Sequence, residues 1–160
     1  MMLQGHLLVA TGGYLLVKAY PFASALTLTP SMALEVLLVC LGCILPDIDH
    51  RESTIGKRLK FISYPLSIVF GHRGAFHSLL ACVGVMYVAY SVDVPALLFV
   101  ALGYVLHLLG DFLTPSGIPL FYPSSRRYRF MVVAQTNSFG ETVLATSLLS
   151  LGVYVAFFLN

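Results

Sequence analysis

Long apolar runs separated by short polar connections set the pattern of this chain. Thr142 to Leu159 carries no charged residue, and Pro95 to Leu113 is interrupted only by His107 and Asp111 near its end. Ser78 to Val92 is shorter and extends backwards through Ala75 and Phe76. Pro30 to Pro46 holds one acid, Glu35, in what would be its first turn, where a carboxylate complements the helix dipole and reaches the headgroups. Leu7 to Tyr20 is the weakest run, with Gly12 and Gly13 inside it and Lys18 and Pro21 at its end. A helix needs about 20 apolar residues, in a range of about 17–25, to cross a bilayer core. Phe61 to Phe70, broken by Pro65, is too short for that and reads as an interfacial or re-entrant piece. The pattern predicts an all-α, polytopic membrane protein with about four to five transmembrane helices, forming a single domain over residues 1–160.

Composition strengthens that reading. The chain is 58% hydrophobic and 10% charged, with mean hydropathy +0.88. Soluble domains carry about 25% charged residues, so too few charges are present to cover a water-soluble globule of 160 residues. Disorder, a soluble nucleic-acid binder and a secreted disulfide scaffold are excluded. The net charge of +2 is not a nucleic-acid signal, because the basic residues are clustered. One connection holds Arg51, Lys57, Arg58 and Lys60, and another Arg126, Arg127 and Arg129; Pro21 to Thr29 and Ser91 to Val94 hold no Lys or Arg. The positive-inside rule then puts both basic connections in the cytoplasm, with the N-terminus inside and the C-terminus outside. The start lacks a positive n-region, so the first apolar stretch is expected to be retained. Cys40, Cys43 and Cys82 sit in apolar runs and read as small buried hydrophobes.

On that arrangement the titratable residues gather at one membrane face. His6 starts the first helix; Asp47, Asp49 and His50 follow the second; His72 and His77 bracket the start of the third; His107 and Asp111 lie near the end of the fourth. Asp93 alone among the aspartates falls in the opposite loop. His107 and Asp111 are spaced i,i+4 and project from one helix face, and ionisable groups inside a span usually mark function. Imidazole and carboxylate without thiolate suit a divalent transition metal: Zn²⁺ foremost, with Mn²⁺ or Fe as alternatives. Eight candidate ligands exceed the needs of one tetrahedral ion, which admits two ions or a set of supporting partners. Asp49 is the candidate general base or bridging ligand. Arg73 is the candidate for an anionic headgroup or a developing charge, or a lipid-phosphate anchor. Ser78 has no adjacent base beyond a candidate ligand, which argues against a serine nucleophile.

Gly5-His6-Leu7-Leu8, Leu45-Pro46-Asp47-Ile48-Asp49-His50, Phe70-Gly71-His72-Arg73-Gly74, His77-Ser78-Leu79-Leu80 and Asp111 followed by Leu113-Thr114-Pro115 occur in this order. With them the chain resembles the YdjM-like bacterial inner-membrane proteins, described as predicted membrane-bound metal-dependent hydrolases. The resemblance implies metal-dependent hydrolysis at the bacterial inner membrane. The expected function is therefore a hydrolase in which metal-activated water attacks an ester or phosphoester of a lipid-like or phosphorylated, membrane-associated substrate at the cytoplasmic face. Two alternatives stand beside it. One is a metal-ion or small-solute transporter, for which Glu35 and Asp93 supply no polar track to the far side. The other is a non-catalytic membrane protein whose metal ties the helix ends together.

Overall fold

The computed structural model describes residues 1–20, 31–70, 74–130 and 135–159. Regular structure among them is helical, apart from an isolated antiparallel bridge between Ile118 and Tyr128. The helices are α1 (Leu3–Lys18), α2 (Met32–Ile44), α3 (Thr54–Arg58), α4 (Lys60–Phe70), α5 (Leu79–Ser91), α6 (Pro95–Phe112) and α7 (Phe139–Phe158). Two 3₁₀ turns, Pro46–Asp49 and Ala75–His77, lead out of α2 and into α5.

The five long apolar runs become α1, α2, α5, α6 and α7. Two of these, α6 and α7, are long and apolar enough to cross a membrane. At about 1.5 Å per residue, the 16 residues of α1 reach about 24 Å, and the 13 of α2 and of α5 about 20 Å. These fall short of a hydrocarbon core of about 30 Å. Of the four to five spans expected, two are helices of full length among the described residues, and α1, α2 and α5 are shorter. The connection Pro21 to Thr29 lies outside the described residues.

Helix α6 is the centre, packed against α1, α2 and α5, while α1 also rests on α7 and α2. The α2–α6 crossing is close because glycines meet backbone on both sides. A Cβ on Gly42 would overlap the Val100 carbonyl and stand 2.8 Å from its Cα; one on Gly103 would stand 2.8 Å from the Cys43 nitrogen. Small residues let membrane helices approach in this way. Around the crossing, Ala10, Tyr14 and Leu15 of α1, Val39 and Cys43 of α2, and Phe99 and Leu106 of α6 form the apolar core.

The outer faces are apolar too. In α7 only 17% of the most apolar 18-residue stretch is buried, although its mean hydropathy is 1.6. Leu80, Tyr87 and Tyr90 of α5 and Leu37 and Leu41 of α2 are likewise exposed. Contiguous apolar surface of this kind marks contact with a partner or a bilayer.

Helix α4 corrects one expectation: it runs through Pro65 rather than breaking there. Proline removes one backbone donor, and in this short helix the residue lies on the exposed side. Its polarity is inverted relative to a soluble helix. Ser63 and Ser67, spaced i,i+4, face inward towards the Pro46–Asp49 turn, while Phe61, Ile62, Tyr64, Ile68 and Val69 point outward. Arg51 donates from Nε to Ser67 and lies 4.3 Å from the centre of the Tyr64 ring. In this way α4 braces the loop that carries the acids.

At the end of the bundle where α1 closes and α2 opens, Lys18 and the Tyr14 hydroxyl both donate to Glu35 Oε2. Glu35 is therefore buried and paired, not turned to the headgroups as its first-turn position suggests.

Candidate metal centre

Four segments meet at the opposite end of the bundle. Helix α1 contributes His6 from its first turn. The run from α2 into its 3₁₀ turn contributes Cys43, Asp47 and Asp49, since Pro46 starts the tighter helix in the favoured first position. The Ala75–His77 turn contributes His77, which is placed by Ser78. The Ser78 hydroxyl donates to the Ala75 carbonyl and accepts from the Ala81 amide, so that this residue caps α5. Helix α6 contributes His107 and Asp111.

His6, Asp49, His77, His107 and Asp111 are all at most 1% exposed, and Asp47 is the most accessible of the group. The His6 ring stacks on His107 with centroids 3.9 Å apart and planes 9° from parallel; His77 meets His107 edge-on at 5.3 Å. Gly110 admits the His6 ring to α6, because a Cβ there would stand 2.9 Å from His6 Nδ1.

Asp111 is the hub. Its Oδ1 lies 3.2 Å from His6 Nε2 and accepts from the Met1 ammonium at 2.6 Å. Its Oδ2 lies 3.7 Å from His77 Nε2 and 3.9 Å from His107 Nε2. Asp47 Oδ1 stands 3.9 Å from His77 Nε2 and 4.0 Å from His107 Nε2. Neither nitrogen of His6 or of His77 makes a hydrogen bond among the described residues. Buried imidazoles rarely go unpartnered. Two ligands of one tetrahedral ion at about 2.1 Å stand about 3.4 Å apart, close to the separations seen here. Two triplets of ligand atoms fall within 4.8 Å of one another: Asp47, His77 and His107, and His6, Cys43 and His107. The residues present therefore fit a divalent ion.

The structure sorts the expected site residues. His6, Asp47, His77, His107 and Asp111 come together. Asp49, the expected base or bridging ligand, stands outside both triplets: its Oδ2 lies 3.7 Å from His77 Nδ1, behind the edge of the ring that faces Asp47 and Asp111. A 3₁₀ helix turns 120° per residue, so Asp47 and Asp49 leave the turn in different directions. His50 stands outside both triplets; its Nδ1 accepts from the Glu52 amide at 3.1 Å. His72 and Arg73 lie outside the described residues.

Three neighbours of the cluster fall outside the ligand set expected from the sequence. Cys43, taken for apolar packing, stands with His6 and His107, and its one-turn spacing from Asp47 was the available signal. Glu141, in the first turn of α7, accepts from the Met2 amide and the Asn137 amide, both at 2.7 Å, and fastens α7 to the start of α1. Lys57 helps to line a cavity of about 530 Å³, with Asp47, His50, Glu52, Ser53, Thr54, Gln4 and Thr136 among its other walls. Asp47 joins that cavity to the buried cluster.

The sequence model of the YdjM inner membrane protein family matches residues 1–159. Inner membrane protein YdjM of Escherichia coli (strain K12) is 39% identical over 142 residues, covering 81% of this chain and 69% of that protein. Its namesake in Shigella flexneri matches equally. Protein YvsG of Bacillus subtilis (strain 168), described as uncharacterized, is 33% identical over 120 residues, covering 74% of this chain and 75% of its own. No solved structure gives a significant match. Matched by that family's model over residues 1–159 and 39% identical to a curated member across most of its length, the chain belongs to the YdjM inner membrane protein family.

Proposed function

We propose that this protein is a membrane-embedded, metal-dependent hydrolase acting on an ester or phosphoester of a lipid-like substrate. The observation that carries the reading is the set of buried, unbonded imidazole nitrogens facing Asp47 and Asp111 beside a polar cavity. A purely structural zinc site closes its coordination with four protein ligands, whereas a catalytic one keeps a position open. The Asp47–His77–His107 triplet leaves such a position. A cavity of about 530 Å³ is large enough for a headgroup, within the range of about 300–1,000 Å³ usual for ligand sites.

A divalent ion held there would lower the pKa of a bound water to near neutrality and so supply a nucleophile. The chain's own residues do the rest. Asp47, His77 and His107 would hold the ion, Asp111 spans the His6 and His77 sides of the cluster, and Asp49 would orient the His77 ring from behind. Lys57, on the cavity wall, meets an anionic group of the substrate. Arg73 keeps its proposed role at an anionic headgroup.

In this reading α1, α2, α5, α6 and α7 traverse the bilayer, with the three shorter helices completed by interfacial residues or local thinning. The metal centre faces the cytoplasm of a bacterial cell, on the side of Lys57, Arg58 and Lys60. Exposed Phe61 and Ile62 beside those cations suit a helix lying at headgroup level. The pairing of Glu35 with Lys18 and Tyr14 supports a closed far end and weighs against transport.

A screen of phosphoester and carboxylester substrates with detergent-purified protein tests the proposal. Turnover that chelator abolishes, that Zn²⁺ restores and that His107→Ala lacks is the expected result. Metal-loaded protein inactive across both ester classes contradicts hydrolysis.

A further inference from the structure

The sulfur of Cys43 stands beside two buried imidazoles. Cys43 Sγ, one nitrogen of His6 and one of His107 lie within 4.8 Å of one another, and each residue is at most 1% exposed. The stacked rings hold the two imidazoles side by side. Neither His6 nitrogen makes a hydrogen bond among the described residues, while the thiol donates only loosely to the His6 carbonyl, at 3.4 Å.

The fold forces this meeting. At the α2–α6 crossing, Gly103 brings the α6 backbone against the Cys43 nitrogen. His107 follows Gly103 by four residues on the same face of α6. Gly110 then lets the His6 ring approach that face from α1. Three helices thus deliver one thiol and two imidazoles to one buried point.

We propose that Cys43 is a metal ligand, completing with His6 and His107 a nitrogen–nitrogen–sulfur set selective for Zn²⁺ over Mn²⁺. The proposal rests on reading the cluster as a metal centre and specifies its chemistry. On binding, the sulfur–hydrogen bond breaks, the sulfur–metal bond forms, and one proton is released to solvent. A thiolate in the set favours zinc, because manganese prefers oxygen ligands. Three protein ligands leave one position for water, the pattern of catalytic rather than structural zinc. His107 also belongs to the Asp47–His77 triplet, so the sulfur is tied through one ring to the wall of the polar cavity.

The competing account makes Cys43 a small buried filler. Two measurements on the full-length chain in detergent separate them. Zinc X-ray absorption on the wild type should show a sulfur at about 2.3 Å beside nitrogen and oxygen at about 2.0–2.2 Å. The cobalt-substituted protein should show a thiolate-to-cobalt charge-transfer band. That band should persist when Cys40 and Cys82 are both changed to serine and vanish in Cys43→Ser, with metal affinity lowered about 10-fold or more. A zinc site of nitrogen and oxygen alone, or a band that survives Cys43→Ser, overturns the assignment while leaving a metal centre in place. Failure of the wild type to bind zinc or cobalt overturns the metal centre itself, and the Cys43 assignment with it. The absorption measurement needs no variant, so it decides the question even if Cys43→Ser does not fold.

Discussion

Replacing Asp49 by asparagine separates a carboxylate that orients a ligand from one that merely caps a turn. Asp49 is fully buried, and neither of its oxygens has a hydrogen-bond donor among the described residues. Its Oδ2 lies 3.7 Å from His77 Nδ1, just beyond hydrogen-bond reach, while His77 Nε2 faces Asp47 and Asp111. A carboxylate that accepts from the rear nitrogen of a ligating histidine fixes its tautomer, which Asp49 would do by closing a few tenths of an ångström on ion binding, and loss of such a partner costs about 10–100-fold in metal affinity. At about 1.4 kcal/mol per tenfold, that is about 1.4–2.8 kcal/mol. In the metal-free protein the same carboxylate is a buried polar group without a hydrogen-bonded partner, a liability of about 1–3 kcal/mol. Asparagine keeps the shape and removes the charge. Asp49→Asn should therefore weaken zinc binding about 10-fold or more while leaving the unfolding temperature of the chelated protein unchanged or raised. The assay is a competition titration against a chromophoric chelator, paired with thermal unfolding in the same detergent. A variant with unaltered zinc affinity and a lowered metal-free unfolding temperature would refute the orienting role and make Asp49 structural.

Other substitutions probe the scaffold and the hub. His107 belongs to both ligand triplets, so His107→Ala should cost more metal affinity than His6→Ala or His77→Ala in the same competition titration. Gly42→Ala should drive a Cβ into the Val100 carbonyl and separate α2 from α6, costing about 1–3 kcal/mol or more, read as a lowered unfolding temperature with a weakened metal site. Lys18→Met should destabilise the protein by leaving Glu35 buried without its cation, and adding Glu35→Gln should restore much of the loss, which a double-mutant cycle measures.

The parts of the fold that were legible in the sequence are those with one dominant physical cause. The uncharged run from Thr142 and the run from Pro95 could only be apolar helices, and α7 and α6 follow them closely. His107 and Asp111 were legible because an i,i+4 pair inside an apolar helix has few other uses. Contacts between helices were not. Glu35 alone looks like a first-turn acid; only the α1–α2 packing shows Lys18 and Tyr14 bonded to it. Cys43 resembles its apolar neighbours because a thiol serves equally as filler and as ligand, and only the crossing at Gly103 sets it beside two imidazoles. Asp47 and Asp49 are chemically identical in sequence, and the 3₁₀ turn is what aims one at the cavity and the other behind His77. Pro65 misled for a related reason: a break is costly where backbone is buried, and α4 carries its proline on the outer side.

The account stands on the claim that the buried histidine–aspartate cluster holds a divalent ion. Elemental analysis of the full-length protein, purified in detergent without chelator and after dialysis against trace zinc, tests it most directly. At least one equivalent of zinc per chain is expected, lost in His107→Ala and reduced in Asp111→Ala. A wild-type chain that stays metal-free at micromolar zinc, or variants that bind as much as the wild type, would contradict it and leave the cluster as polar packing between helix ends.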